Sequence, residues 1–268
     1  MPLGTSGLVG GAGRRGYVAE VSTRADLAFW FDPVCPFAWM TSRWVRQVAG
    51  QRDLVVDWRP ISLRIVNAAV DYDAHFPPGY EAGHTAGLRL LRVVERTRDE
   101  HGADAVARLH EALGAAVFDG DPLPDAVDAD GLDLRGTARF LGPVLEVAGL
   151  PHALADALDD ASYDERIGAS TEEALTLTGR DVGTPILQFG PPDGPSFFGP
   201  VISRLPSDED ALRLWEHVEG LATFAGFAEL KRSLREMPRL RALGVADDEV
   251  GTVEDWHGGS RRQKQDRG

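Results

Sequence analysis

The chain has little cysteine, no excess of positive charge and no long hydrophobic run. Its 268 residues include one cysteine, Cys35, which excludes a disulfide scaffold, a cysteine-based zinc site and an internal disulfide. The 42 acidic residues outnumber the 28 basic ones and give a net charge of −14. Because phosphate binding needs a basic surface, this balance argues against nucleic acid or an anionic membrane as the main partner. No segment reaches the roughly 20 consecutive apolar residues of a membrane span.

The overall composition is that of an ordinary folded protein. Apolar residues make up 43% and charged residues 26%, the usual balance for a globular domain. At roughly 150 residues per domain, the length predicts one large domain or two small ones. The start of the sequence lacks the basic segment and apolar core of a signal peptide, so we expect a cytoplasmic protein.

Both ends of the chain differ from the middle in composition. Residues 1–23 are rich in glycine and small residues and have no lasting periodicity, which predicts a disordered tail. Residues 244–268 combine charges of both signs with glycine and have little to bury, which predicts a second disordered tail. The folded part is therefore expected between these two segments.

The folded part begins with the pattern of a strand, a helix and a second strand. Residues 27–31 form a short, continuous apolar run, which is typical of a strand buried on both faces. Pro36 suits the first turn of a helix, and we expect this helix to continue to about Ala49. A second strand is expected over residues 54–61.

Helical patterns fill the middle of the chain, and strand patterns return after it. Apolar residues recur at helical spacing through most of residues 80–178. Residues 184–189 and 196–202 read as strands joined by a Pro/Gly-rich turn, which predicts a hairpin. Further helices are expected from about residue 207 and over about 221–235. This order predicts an α/β sheet, with a parallel first pair and a helical domain inserted in the middle.

Cys35 lies directly after the first predicted strand and before the first predicted helix. A side chain in this position faces unsatisfied backbone N–H groups and the positive end of the helix dipole, which both stabilise a thiolate. Cysteines so placed can have pKa values lowered to about 3.5–7.5, and the thiolate is the nucleophile. A buried, inert cysteine is the alternative interpretation, because cysteine is among the residue types most often buried.

Two motifs of the chain resemble those of a known family. Residues 29–44, FWFDPVCPFAWMTSRW, resemble the active-site segment of DsbA-like thioredoxin-fold proteins, above all of the actinobacterial branch that includes mycothiol-dependent nitroreductases. Residues 182–185, VGTP, resemble the second hallmark of that family, a loop that ends in a cis proline beside the catalytic cysteine. Residues 197–200 resemble the strand that follows, and the resemblance covers about residues 26–236.

The resemblance implies a thioredoxin-like fold that is interrupted by an α-helical domain. Residues 24–66 and 181–243 would form the thioredoxin-like domain, and residues 67–180 would form the insertion. The resemblance also implies that Cys35 is the catalytic nucleophile and that a thiol substrate lies in a groove beside it. The residues expected to border this groove are Pro36, Phe37, Ala38, Trp39, Thr184 and Pro185.

The chain departs from the family pattern at Ala38, where the usual Cys-Pro-aromatic-Cys motif has its second cysteine. A dithiol enzyme uses that second thiol to resolve its mixed disulfide, so here an external thiol must release the product. The resemblance, with a composition typical of actinobacteria, implies that this thiol is mycothiol, acting as a cosubstrate. We expect no tightly bound cofactor and no metal, and the other partner would be a disulfide or an electrophilic small molecule.

Two other functions stay open at this point. Kappa-class glutathione transferases and 2-hydroxychromene-2-carboxylate isomerases resemble a Ser-Pro-aromatic-Ser pattern here, in which a hydroxyl holds a thiol cosubstrate as its thiolate. Residues 35–38, CPFA, lie between the two patterns. A degenerate thioredoxin fold can also be a non-catalytic binding module.

Three further polar residues are weaker candidates for the site. Asp32 is close to Cys35 in sequence and could accept a proton, although a turn residue before Pro33 is the simpler interpretation. Arg64 and His84 could face the cleft from the start of the helical segment.

Overall fold

The computed structural model describes residues 25–120, 131–232, 234–246, 248–251 and 253–255. The predicted N-terminal tail, residues 1–23, and the last part of the predicted C-terminal tail, residues 256–268, lie outside the described residues.

A four-stranded sheet forms the centre of the fold. Its strands are β1 (Leu27–Phe31), β2 (Val56–Pro60), β3 (Ile186–Phe189) and β4 (Ser196–Phe198), in the order β2-β1-β3-β4. β1 pairs parallel with β2 and antiparallel with β3, and β3 pairs antiparallel with β4. A parallel pair extended by an antiparallel hairpin is the sheet of a thioredoxin-like fold. The predicted fold class is therefore confirmed.

Helices account for most of the remaining structure. The α-helices of the described residues are α1 (Pro36–Ala49), α2 (Leu63–Val66), α3 (Tyr72–His75), α4 (Tyr80–His101), α5 (Ala103–Gly114), α6 (Ala138–Val147), α7 (Asp164–Thr178) and α8 (Asp208–Ala222). Shorter helical segments are a π-helical turn, Ala115–Asp119, and 3₁₀ segments at Leu134–Gly136, His152–Asp159, Ala161–Tyr163 and Arg241–Leu243. Among the described residues between β2 and β3, the regular elements are all helical, as the periodicity predicts.

The apolar run of β1 is buried on both faces because helices cover both sides of the sheet. Successive side chains of a strand point to opposite faces. Phe29 packs in a cluster with Trp44 of α1 and Trp215 of α8. Trp30, its neighbour in sequence, packs on the other face with Ala174 of α7.

The helical segment shares its core with the sheet. One continuous cluster contains side chains from β1, α1, α4, α5 and α8, among them Phe29, Trp44, Leu90, Leu109 and Trp215. The helical segment is thereby packed directly against the strand that leads to Cys35. The boundaries at residues 66, 180 and 243 stay a prediction.

A buried histidine of α5, His110, packs against aromatic side chains of β1 and β2. The His110 ring lies 4.1 Å from the Phe31 ring and 4.6 Å from the Trp58 ring, measured between centroids. Arg46 donates a hydrogen bond of 3.0 Å to Nδ1 of His110. Burial, together with this nearby guanidinium, lowers the pKa of His110 well below its usual range. His110 is therefore neutral and acts as a hydrogen-bond acceptor.

The chain after α8 differs from its prediction. The helix predicted over about 221–235 is wrong, since α8 ends at Ala222 and Leu234–Glu236 forms a strand, β5. Gly226 has a φ of 88°, which a helix cannot contain. β5 pairs antiparallel with β6 (Val253–Asp255), which lies within the segment predicted to be disordered. The disorder prediction therefore does not hold for β6.

The second strand of the hairpin is also shorter than predicted. β4 ends at Phe198 instead of continuing to residue 202. Gly199 has a φ of 91°, and Pro200 has no N–H to donate to a ladder. Among the described residues, no helix combines the length and the apolar character needed to cross a membrane.

We expect Gly114→Ala to destabilise the protein by about 1–3 kcal/mol, because a methyl group here overpacks a filled core. A Cβ atom at Gly114 would lie 2.0 Å from the Trp39 ring. Gly168→Ala in α7 is the matched control, because a Cβ at that position meets nothing within 4 Å. The control should be neutral or stabilising by up to about 1 kcal/mol. Urea unfolding of both variants measures the difference, and equal stabilities would contradict the packing.

We expect the contribution of His110 to stability to fall on acidification. The unfolded chain takes up a proton on this histidine at about pH 6.5, whereas the folded protein keeps it neutral. Stability is therefore present above that pH and lost below it, by up to about 1.4 kcal/mol per pH unit. His110→Gln retains an acceptor for Arg46 but does not titrate. The stability difference between wild type and this variant should shrink between about pH 7.5 and about pH 5.5 in urea unfolding; a constant difference would contradict the buried neutral state.

Candidate active site

Cys35 is the N-cap residue of α1. Its backbone is extended, with φ −90° and ψ 111°, and its Sγ accepts a hydrogen bond from the backbone N–H of Ala38 at 3.5 Å. Pro36 occupies the first turn of the helix, where its missing N–H removes no helical hydrogen bond. The thiol thus replaces the oxygen that usually caps a helix, at the positive end of the helix dipole.

The loop before β3 lies directly against this sulfur. Cys35 Sγ donates a hydrogen bond to the backbone carbonyl of Thr184 at 3.5 Å. The Thr184 hydroxyl donates to the carbonyl of Trp30 at 3.0 Å, which fixes the loop to the end of β1. The peptide bond between Thr184 and Pro185 is cis. Two segments that are 149 residues apart in sequence therefore meet at one sulfur atom.

The residues expected to border the groove lie in different environments. Ala38 and Thr184 contact the sulfur, and Pro185 follows directly. Phe37 is buried in the main core. Trp39 is also buried, packs against Val117 and Phe118, and donates from its Nε1 to Asp119 at 3.1 Å. The Trp39 ring is therefore held by the helical segment beyond α5.

The turn before α1 depends on Asp32. Its carbonyl accepts the backbone N–H of Cys35 at 3.0 Å, and its Oδ1 accepts that of Val34 at 3.0 Å. Its Oδ2 accepts the N–H of Leu63 at 2.7 Å. Asp32 is only 2% exposed, and this burial raises the pKa of its carboxyl to about 6. It is a turn residue, as the simpler interpretation holds, but its carboxyl also reaches a second element.

A hydrogen-bonded tyrosine–histidine pair lies on the helical side of this turn. Tyr72 and His84 are both buried and are joined by a hydrogen bond of 2.9 Å between the phenol oxygen and Nδ1. Burial, and then the charges of Arg135 and Arg64, lower the pKa of His84 to about 4. His84 is therefore neutral at physiological pH.

Sequence reasoning proposed Arg64 and His84 but missed Tyr72, His110 and Arg135. The Arg64 guanidinium lies 5.4 Å from the centre of the Tyr72 ring and forms an ion pair with Glu81. Tyr72 lies on a helix of four residues, too short for a periodic signal. The described residues contain no group of three or more His, Cys, Asp or Glu side chains placed to bind a metal ion.

Comparisons with known proteins agree with the motifs around this sulfur. The family model described as "Rv2466c-like: Mycothiol-dependent nitroreductase Rv2466c" matches residues 34–232, which include both Cys35 and Pro185. A relative from Mycobacterium tuberculosis (strain ATCC 25618 / H37Rv), the uncharacterised protein Rv2286c, is 31% identical over 207 residues. That match covers 76% of this chain and 80% of the relative.

Solved structures give more distant matches. A 2-hydroxychromene-2-carboxylate isomerase is 16% identical, with a TM-score of 0.45, over 72% of this chain and 94% of its own. The reduced form of DsbG from Mycobacterium tuberculosis is 16% identical, with a TM-score of 0.39, over 74% of this chain and 85% of its own. These two likenesses carry no argument about function. The family is shown by the match over residues 34–232 and by the relative, and the chain belongs to the Rv2466c-like family of oxidoreductases.

Proposed function

We propose that the protein is a DsbA-like thiol–disulfide oxidoreductase in which Cys35 is the single nucleophile and mycothiol is the external thiol. The observation that carries this proposal is the position of Cys35 Sγ. It lies 3.5 Å from the backbone nitrogen of Ala38, at the start of α1, and 3.5 Å from the carbonyl oxygen of Thr184. The family description, which names a mycothiol-dependent nitroreductase, supports the choice of thiol.

The two contacts of the sulfur have opposite effects on the ionisation of the thiol. The N–H of Ala38 and the helix dipole favour the thiolate, whereas the carbonyl of Thr184 accepts a hydrogen bond from the thiol and so favours its protonated form. A substrate that offers an N–H to the Thr184 carbonyl, as an added strand does, would remove that acceptor from the sulfur. Substrate binding would then favour the nucleophilic form of Cys35.

The residues around the sulfur suit a low-molecular-weight thiol. Cys35 would hold its sulfur, and the Thr184 carbonyl would accept from its amide. Pro36, Ala38 and Pro185 would form the remaining border of the groove, with the buried rings of Phe37 and Trp39 packed behind it. Mycothiol supplies the reducing sulfur and needs no tightly bound cofactor.

The reaction consists of two thiol–disulfide exchanges. In the first, the Cys35 thiolate attacks the mycothiol sulfur of a mixed disulfide between mycothiol and the substrate. The substrate leaves as a thiolate and takes up a proton, while Cys35 becomes joined to mycothiol. In the second, the thiolate of another mycothiol attacks that disulfide, forms mycothiol disulfide and regenerates the Cys35 thiolate. Over both exchanges, the mixed disulfide and one mycothiol thiol become the substrate thiol and mycothiol disulfide, so one S–S bond breaks and one forms.

Ala38 makes the second exchange depend on an external thiol. Position 38 carries a methyl group, and Cys35 is the one cysteine of the sequence. A reducing role in the cytoplasm fits this arrangement, because the thiol pool there is kept reduced. The nitroreductase in the family description supports a nitroaromatic compound as a second kind of electron acceptor.

We expect a mycothiol adduct to form on Cys35 within minutes of adding mycothiol disulfide, and reduced mycothiol to release it. Intact-mass spectrometry follows both steps. Cys35→Ser is the matched control and should form no adduct. An adduct that persists in this variant would contradict the mechanism.

A wild-type protein that gives no adduct, although its unfolded form reacts, would also contradict the proposal. The kappa-class-like transferase or isomerase function would then lead, because Ala38 removes the internal dithiol that redox chemistry usually employs. A non-catalytic binding module would be the next candidate.

We expect Ala38→Cys to form an internal disulfide with Cys35 under mild oxidant. Cys35 is the N-cap and residue 38 is the third residue of α1, and the backbone nitrogen of residue 38 already lies 3.5 Å from Sγ. The expected product is two mass units lighter by loss of two hydrogens, and its formation removes both free thiols in a thiol assay. Ala38→Ser is the control with similar volume. Two free thiols after oxidation would show that the geometry differs from a dithiol site.

A further inference from the structure

The proposed exchanges leave one buried ionisable group beside the nucleophile unused, the carboxyl of Asp32. Asp32 lies three residues before Cys35 and is 2% exposed. In the described part of the chain, no arginine, lysine or histidine forms an ion pair with it. A carboxylate without such a partner is costly to bury, so its retention next to a reactive sulfur calls for a physical reason.

Both carboxyl oxygens of Asp32 are used to hold backbone. Oδ1 accepts from Val34 at 3.0 Å within the turn, and Oδ2 accepts from Leu63 at 2.7 Å, at the start of α2. The carbonyl of Asp32 accepts the N–H of Cys35 at 3.0 Å. Asp32 therefore connects the turn that carries the nucleophile to the beginning of the helical segment.

Helix α4 keeps this carboxyl in place. A Cβ atom at Gly87 would lie 2.5 Å from Asp32 Oδ1 and 2.9 Å from a methyl carbon of Val34. The absence of a side chain at Gly87 thus allows the helix backbone to approach the turn closely. This close approach of α4 helps to keep the Asp32 carboxyl out of bulk water.

The ionisable groups that face the region of Asp32 belong to four elements. Arg64 on α2 is paired with Glu81, and Arg135, in the 3₁₀ segment after α5, is paired with Asp133. Arg135 favours the charged form of Asp32, but Asp133 accepts hydrogen bonds from its guanidinium. Both arginines therefore have their own carboxylate partners.

The other two groups facing this region carry no charge at neutral pH. His84 on α4 is neutral because burial and the two arginines lower its pKa to about 4. Tyr72 on α3 is neutral because burial raises the pKa of its phenol. Above about pH 6, where Asp32 is ionised, its negative charge has no direct counter-ion among these groups.

We propose that Asp32 is a positioning residue for Cys35, whose carboxylate fixes the turn and whose negative charge opposes ionisation of the thiol. This inference rests on Cys35 being the nucleophile of the proposed function. A helix N-terminus alone stabilises the thiolate, and a thiolate that is too stable is a weaker nucleophile. The best attacking thiol ionises near the pH at which it works. Asp32 moves the ionisation of Cys35 back toward that pH.

The test is the ionisation of Cys35 in Asp32→Asn, followed by the ultraviolet absorbance of the thiolate against pH. The one cysteine of the chain makes this signal unambiguous. We expect the midpoint to move to lower pH by about one unit or more, because a nearby negative charge at an effective dielectric constant of about 20 disfavours the thiolate. Alkylation by iodoacetamide at a pH below the wild-type midpoint should become several-fold faster.

Two further variants keep the test decisive. Asp32→Ser also removes the charge and can still accept from Val34 through its hydroxyl, so it serves if the asparagine variant does not fold. Asp57→Asn is the matched control, because Asp57 is a buried carboxylate on β2 bonded to Arg59 at 2.7 Å. It should lose stability and leave the midpoint unchanged.

An unchanged midpoint in any folded, neutral variant at position 32 would overturn the proposal, whatever happens to turnover. A midpoint that moves equally in Asp57→Asn would overturn it too, because the effect would then be general loosening. The thiolate absorbance needs no substrate. A wild-type protein that forms the mycothiol adduct while Asp32→Asn leaves the midpoint unchanged therefore refutes this inference alone.

Discussion

The candidate active site is organised around the sulfur of Cys35, which contacts backbone groups on two sides. One side is the N–H of Ala38 in α1, and the other is the carbonyl of Thr184. The register of the sheet creates this meeting point, because Trp30 pairs with Ile186 and so brings the start of β3 to the end of β1. The helix supplies the donor, and the loop before β3 supplies the backbone carbonyl to which a substrate can bind.

The helical segment packs against the strand and the turn that lead to that sulfur. Its α4 approaches the Cys35 turn at Gly87, and its α5 places His110 beneath β1. His84 and His110 are both held neutral by burial. The elements inserted between β2 and β3 thus contribute two buried, uncharged imidazole rings to the fold that carries the nucleophile. The sheet and α1 set the position of the sulfur, and Asp32 links its turn to the start of α2.

Local patterns in the sequence were enough to predict an α/β sheet with an inserted helical segment and to make Cys35 a candidate, whereas the resemblance of two motifs implied the thioredoxin-like fold. The apolar run of β1, the proline at the start of α1 and the hairpin signals are properties of neighbouring residues. Features created by contacts between residues far apart in the sequence were not predicted. The hydrogen bond from the Leu63 N–H to Asp32 spans 31 residues, and the side chains that contact His110 come from β1, β2 and α1. The helix expected over about 221–235 failed because Gly226 interrupts a pattern that composition alone favours.

The most direct test of the central claim is the rate at which the mixed disulfide on Cys35 is released, measured against the concentration of reduced mycothiol. A protein with one sulfur and Ala38 in place of a second cysteine has no internal thiol to expel the adduct. We predict a release rate that is proportional to the concentration of reduced mycothiol and falls to zero without it. A release rate that does not depend on mycothiol would contradict a single nucleophile served by an external thiol.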